Sequence, residues 1–276
     1  MVKKVNVFTI IKYALLIIFL FLIIYPIYMV AVGSFRKNTQ ILMDPFGLPT
    51  EFSIANFSKA WISGKLYSMY INSFIVTLGS VAVIILFSSL IGYVMSRRDF
   101  KFKKLLFIAI IVGMTIPSQV GIIPLYLQMV KMRLADTLVG LMIVYTVNFL
   151  SYSTFVMYGF IKTIPKEIQE AAIVDGCSNY RMYYSIIMPL STAVIMTVTI
   201  FNLMFIWNDM FFSMIMVSTP AKKTLMIGLL SFVGQYYSDY ATMFAGVILV
   251  SLPMLALFLL LQRQFLEGAT KGAIKG

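Results

Sequence analysis

The chain has 276 residues, 61% of them hydrophobic and only 12% charged, with a mean hydropathy of +0.93 and a net charge of +12. A soluble domain carries about twice that charged fraction, so the composition excludes a soluble catalytic domain and leaves no place for a basic nucleic-acid groove. One cysteine, Cys177, and no histidine exclude an internal disulfide, a multi-cysteine metal site and histidine-based catalysis.

A helix needs about 20 mostly apolar residues to cross a bilayer core. Six runs meet that length, at 13–35, 70–96, 105–130, 137–160, 190–210 and 241–262. The first follows Lys3, Lys4 and Lys12 and ends near Ala31, Val32 and Gly33, in the manner of a signal peptide. Its apolar stretch exceeds the roughly 7–15 residues of a signal core, so it reads as an uncleaved first helix. Pro26, Pro117, Pro124 and Pro253 interrupt the runs, and each removes a backbone donor and bends or breaks its helix. The pair Pro117 and Pro124 would shape a helix beside a pathway; simple curvature of the bundle is the plainer reading.

Basic residues orient the chain, because the cytoplasmic side holds the excess. With the N-terminus inside, fourteen of the 22 Lys and Arg residues fall inside and eight outside. The densest cluster, RRDFKFKK from Arg97 to Lys104, directly follows the second run. Both termini are therefore expected to be cytoplasmic. Residues 36–69 and 218–240 would lie outside as amphipathic surface segments able to meet an extracellular partner, or as plain connections.

In the fourth run Tyr145, Asn148 and Tyr152 recur at helical spacing. In the fifth, Asn202, Phe205, Asp209 and Phe212 do the same, with Trp207 and Asn208 beside them. Amides and aromatic faces at this spacing suit a polar path, and polar groups within a span tend to face the bundle interior. The ordinary alternative is helix-to-helix hydrogen bonding.

Between these runs lies KTIPKEIQEAAIVDGCSNYRMYYSIIMPL. Ile164, Ile168, Ala171, Ala172 and Val174 interleave with Lys166, Glu167, Glu170 and Asp175, as on a short amphipathic helix lying across the membrane face. Gly176 allows a turn that a residue with a Cβ resists. Ser178 or Asn179 can cap a second helix running toward Pro189. The expectation is a helix–turn–helix knob on the cytoplasmic side. After the last run, residues 263–276 contain Gly268, Gly272 and Gly276, too many for a stable helix.

Glu170-Ala171-Ala172, three residues, Gly176, nine residues, then Ile186-Ile187-Met188-Pro189 resembles the EAA loop of ABC importer permeases; the family usually has Leu where Met188 stands. IPSQVGIIPLYLQMVKMRLADTLVGL, FIWNDMFF and QRQFLEGATKGAIKG resemble further segments of the maltose-type carbohydrate permeases, so the similarity covers nearly the whole chain.

The resemblance implies one transmembrane domain over residues 1–276. It would comprise a first helix (13–35), a core bundle (70–262), a coupling loop (162–189) and a cytoplasmic tail (263–276) that reaches the ATPase. Glu170, Ala171, Ala172, Asp175, Gly176 and Pro189 would form the surface that docks on a separate ATPase. The implied partners are a second homologous permease, two ATPase subunits, an extracellular solute-binding protein, a sugar and membrane lipid. No cofactor is expected on this chain; ATP and magnesium belong on the ATPase, since the sequence has no G-x-x-x-x-G-K-[ST] loop.

Two rival readings are weaker. An ion-coupled secondary transporter would need ionisable residues within the membrane, and Asp209 is the only acidic residue inside an expected span, near its end. A membrane enzyme is disfavoured by the lack of histidine and the scarcity of acids in the apolar runs.

Overall fold

A computed structural model describes residues 7–234 and 238–273. In chain order its helices are α1 (Val7–Gly33), α2 (Asn38–Met43), α3 (Ala55–Ser58, followed by a π-type turn over Lys59–Ser63), α4 (Leu66–Arg97), α5 (Lys103–Thr115), α6 (Ile122–Lys131), α7 (Leu138–Thr163), α8 (Lys166–Val174), α9 (Asn179–Met182, followed by a π-type turn over Tyr183–Ile187), α10 (Met188–Leu190), α11 (Thr192–Trp207), α12 (Phe211–Met216), α13 (Leu225–Leu230) and α14 (Tyr240–Ala273). Four of these helices are long and apolar enough to cross a membrane, or six spans result if each of two bent pairs counts as one. The all-α, membrane-spanning class read from the sequence stands.

Three expectations are corrected. The third run is not one helix: α5 and the segment Ser118–Lys131 meet at 90°. Proline clashes with a helical residue before it, which pushes that residue to extended geometry. Ile116 (ψ 122°) and Pro117 (ψ 121°) are both extended, and two extended residues in succession turn the chain aside. Pro124 causes no break, because it is the third residue of α6, where the backbone N–H would have no intrahelical partner. Pro26 and Pro253 likewise lie inside continuous helices.

The fifth run is also broken. Asn179–Leu190 and α11 meet at 75° about Ser191, and α11 ends at Trp207, three residues short of its expected end. The third correction concerns the tail. α14 continues through Gly268 and Gly272 to Ala273. Each glycine weakens a helix by about 1 kcal/mol relative to alanine. A helix already nucleated in the preceding span adds one hydrogen bond per residue with no further nucleation penalty, so it carries two glycines. Gly276 lies outside the described residues.

The chain packs into two compact units. One comprises residues to Tyr67 together with Gly228–Pro253. Here Arg36, 3% exposed, donates from Nη2 to the carbonyls of Gln40 (2.9 Å) and Asp44 (2.7 Å), adding to the backbone bonds at the C-terminus of α2. Asp239 accepts from the Thr242 N–H and hydroxyl at the start of α14 and pairs with Lys59. α1 has none of its apolar window buried, as befits a helix surrounded by lipid or by another chain.

The second unit comprises Ser68–Ile227 and the chain from Met254. It holds two cores. One gathers Val76, Ile84, Leu141, Val144, Tyr145, Leu203, Phe212 and Met216. The other gathers Tyr93, Met157, Ile161, Ala172, Met182, Tyr183, Ile187 and Val194. Gly92 lets α4 approach α7 closely: a Cβ there would come within 3.0 Å of both Met157 Cβ and the Tyr158 nitrogen.

Candidate functional site

The second core extends beneath residues 164–190, which form the expected helix–turn–helix knob. Pro165 has no N–H to donate and forces Ile164 into extended geometry (ψ 129°), so α7 must stop at Thr163. α8 then begins at Lys166. At its far end the Cys177 N–H donates to the Ala172 carbonyl (2.9 Å) and the Gly176 N–H to the Ile173 carbonyl (3.0 Å). This pair of bonds is the Schellman helix end, which needs a left-handed residue between them. Gly176 supplies it, with φ +75°, and a Cβ there would meet no atom within 4 Å. The requirement at Gly176 is therefore conformational and not steric.

Of the two expected caps, the structure selects Ser178. Its hydroxyl accepts from the Arg181 N–H at the start of α9, while Asn179 is the first helical residue. Tyr183 anchors the second limb: its hydroxyl lies 2.7 Å from that of Ser89, and its ring lies 5.4 Å from that of Tyr93. Pro189 is the second residue of α10, at the base of the knob and not at its tip.

The expected apolar face of α8 divides. Ile164 and Ala172 are buried against the second core, whereas Ile168 (38%), Ile173 (54%) and Val174 (86%) are exposed. Ala171 and Glu170 are exposed as well, and so is Asp175 at the helix end. Consecutive residues on a helix lie about 100° apart, which lets Ala172 turn inward while Ala171 beside it stays exposed. Ala172 belongs to the fold. Glu170, Ala171, Ile173 and Val174 form a mixed apolar and acidic surface open to another molecule.

Two functional candidates escaped the reading of the sequence, where they counted only toward charge. Arg97, the last residue of α4, donates from Nη2 to the carbonyls of Ile161 (2.9 Å) and Ile164 (2.7 Å). Arg98 donates to the Asn179 side chain. The sole signal was that these two are Arg where the cluster continues with Lys101, Lys103 and Lys104.

The residues expected on a sugar path do not form two clean stripes. Because α11 ends at Trp207, Asp209 and Phe212 leave the helical register of Asn202 and Phe205. Asp209 instead accepts from the N–H groups of Phe212 (3.0 Å) and Ser213 (3.2 Å) at the start of α12 and from the Tyr145 hydroxyl (2.6 Å). Tyr145, 1% exposed, also meets the Ser213 hydroxyl at 2.8 Å. Asn202, 0% exposed, donates to Ser153 (3.0 Å) and to the Val198 carbonyl (2.7 Å). Tyr145, Asn202 and Asp209 thus join helices. Trp207 is buried against Phe74, with ring centres 4.9 Å apart.

What stays accessible is the rest of the expected set, Asn148, Tyr152, Phe205 and Asn208, joined by Phe201. Tyr152 stacks on Phe201 at 4.3 Å, and Phe201 meets Phe205 at 4.4 Å. Phe205 is 54% exposed, Asn148 half-buried and Asn208 exposed. Phe201 and Phe205 share one face of α11, Asn208 caps that helix, and Asn148 and Tyr152 share one face of α7. Amides flanking an aromatic surface can bind a hydroxylated ring by hydrogen bonds and C–H contact.

Between α6 and α7, Asp136 makes a clasp the sequence did not suggest. It is left-handed (φ 54°), and its carboxylate accepts from the N–H groups of Ser218 and Thr219 (both 2.9 Å) and from the Thr219 hydroxyl. Lys222 donates to its carbonyl at 2.6 Å. The Thr219 bonds, with those from Ser218 and Lys222, hold this carboxyl well below the usual carboxylate range against the opposing effect of burial.

Several apolar spans, broken helices and a capped knob exposing an acidic and apolar surface mark a multi-pass membrane protein. The chain belongs to the family described as binding-protein-dependent transport system inner membrane component, whose profile matches residues 84–265. It is 34% identical over 83% of its length to the melibiose/raffinose/stachyose import permease protein MelC of Bacillus subtilis, of which 83% is covered. It is 27% identical over 97% of its length to the diacetylchitobiose uptake system permease protein NgcG of Streptomyces coelicolor, with 89% of that protein covered. Among solved structures, a bacterial ABC transporter involved in the import of the acidic polysaccharide alginate matches its fold with a TM-score of 0.83 at 20% identity, over 95% of this chain and 98% of that one.

Proposed function

We propose that the chain is a permease subunit of an ATP-driven importer that carries a sugar or oligosaccharide into the cell by alternating access. The observation that carries this reading is the knob. A nine-residue helix with Glu170, Ala171, Ile173 and Val174 turned outward, ended by a left-handed Gly176, has no use for that surface inside a membrane bundle. An ATPase cleft covers it. Glu170 pairs with a basic residue of the cleft, and nucleotide-driven closure of two ATPase subunits moves the helices rooted beneath the knob. The sugar class is supported by the named substrates of MelC and NgcG.

The knob and both chain ends lie on the cytoplasmic side, in keeping with the excess of Lys and Arg there. A second permease completes the pathway, and an extracellular solute-binding protein delivers the sugar. ATP and magnesium are held by the ATPase.

Reconstitution in proteoliposomes with the partner subunits tests the reading. Sugar uptake requires ATP, and Glu170→Lys abolishes both uptake and co-purification of the ATPase while the permease remains inserted. Like charges set against each other at an interface disfavour it by several kcal/mol. Uptake driven by an ion gradient without ATP, or a Glu170→Lys variant with normal ATPase binding and uptake, would refute it.

A further inference from the structure

We infer that Arg97 and Arg98 are positioning residues that make α4 and the knob one mechanical body. Through them a displacement of the knob is delivered to α4 and is not absorbed at the knob's own joints. The inference rests on the coupling role proposed above.

The knob is attached to the chain at two bends. On one side α7 ends at Ile164-Pro165; on the other, the second limb meets α11 at 75° about Ser191. Such element-terminal bends are places where a chain can flex. A knob held only there would tilt under load without moving the membrane helices.

The first joint and the second limb are both tied to a third element instead. At the end of α7 the Ile161 carbonyl loses its ordinary helical donor, because Pro165 has no N–H, and accepts instead from the Ile164 N–H at 3.2 Å; the Ile164 carbonyl lies beyond the helix end. One guanidinium nitrogen of Arg97 serves both, and its charge suits the negative end of the α7 dipole. Arg98 holds the other limb through Asn179, the first residue of α9. Neighbouring helical residues point about 100° apart, which is why two consecutive arginines reach two different places, the end of α7 and the second limb. Deeper along α4 the Ser89–Tyr183 bond and the Tyr93–Tyr183 ring contact fix the second limb again, and Gly92 seats α4 against Met157 of α7. Arginine suits the first tie better than lysine, since a planar guanidinium presents several fixed donors where an ammonium is a mobile point charge.

The test uses the complete importer in proteoliposomes, reading sugar taken up per ATP hydrolysed. The Arg97→Met/Arg98→Gln double variant lowers that ratio by roughly 2- to 30-fold while the ATPase still co-purifies. Arg97→Lys alone falls between the double variant and the parent. An unchanged ratio in the double variant overturns the inference. A second experiment replaces the Arg98–Asn179 tie by a covalent one. Arg98→Cys and Asn179→Cys, in a Cys177→Ser background, are bridged by a short bis-maleimide. Uptake survives bridging if the two elements move together, and loss of uptake on bridging overturns the inference. Glu170→Lys, run in parallel, separates the two readings. If it binds the ATPase and transports normally, the coupling role itself has failed. If it behaves as expected while the arginine experiments do not, only the inference about Arg97 and Arg98 falls.

Discussion

The Tyr145 hydroxyl donates to the Asp209 carboxylate across 2.6 Å, joining α7 to the break between α11 and α12. Asp209 therefore reads as a helix cap and cross-tie before it reads as a sugar ligand. Tyr145→Phe should destabilise the protein by about 1–3 kcal/mol, since a buried acceptor loses its donor. Asp209→Asn, whose amide oxygen still accepts, should be milder than Asp209→Ala. Thermal unfolding in detergent measures both. An Asp209→Asn variant of unchanged stability but altered sugar affinity would return Asp209 to the path.

The accessible set should behave differently. Asn148→Ala and Phe205→Ala are expected to leave thermal unfolding within about 0.5 kcal/mol of the parent. Removing one hydrogen bond worth about 1 kcal/mol should weaken apparent sugar affinity about fivefold in Asn148→Ala. Uptake titrated against sugar checks this. Parent-like kinetics in both variants would exclude this face from the pathway.

Ala171 and Ala172 make a paired test of the knob. Ala172 is 7% exposed against the second core, so Ala172→Leu overfills it and should cost about 1–3 kcal/mol of stability. Ala171→Leu, on the open face, should leave unfolding unchanged yet impair ATPase co-purification. Equal effects of the two substitutions on stability would contradict the division of this helix into inner and outer faces.

Gly176 gives a graded series. Its φ of +75° disfavours Gly176→Val, by roughly 1–2 kcal/mol, while Gly176→Asn should be tolerated because Asn enters the left-handed region more readily. The open space around the position means bulk alone does no harm. Uptake in the order Gly, Asn, Val is the expected result, and Val equal to Gly would show that the turn carries no constraint.

Asp136 should give the stability of the protein an acid-sensitive component. Its folded carboxyl sits below the ordinary value, so its contribution is present above about pH 4 and is lost as pH falls through the depressed folded value. Asp136→Asn should lower the unfolding temperature at neutral pH. The gap from the parent should narrow as the pH drops below about 4. A gap constant with pH would mean that the clasp depends on shape and not on charge.

Much of the knob could be read from the chain alone, because its signals are local. Pro165, Gly176 and Ser178 each impose a backbone geometry by their own chemistry: a missing donor, a missing Cβ and a short hydroxyl. Apolar run length likewise placed the spans, since a bilayer's thickness is a one-dimensional constraint. The pathway stripes fared worse. Counting by 3.6 from Asn202 to Phe212 assumes an unbroken helix, and α11 stops at Trp207. The tail was misjudged for a related reason: glycine propensity was weighed without the helix that precedes it.

The sequence by itself determined the membrane class, the positions of the apolar runs, the knob with its left-handed turn and the family, all consequences of composition, local geometry or motif. Only the tertiary structure decided that Ala172 faces inward while Ala171 faces out, that Asp209 is held by Tyr145, that Asp136 clasps Ser218 and Thr219, and that Arg97 holds the end of α7 while Arg98 holds the second limb of the knob. Each of these joins residues distant along the chain, or asks which side of a helix meets a neighbour. Such pairings arise from how the helices pack, because a polar group leaving water takes whichever partner the packing brings within about 3 Å.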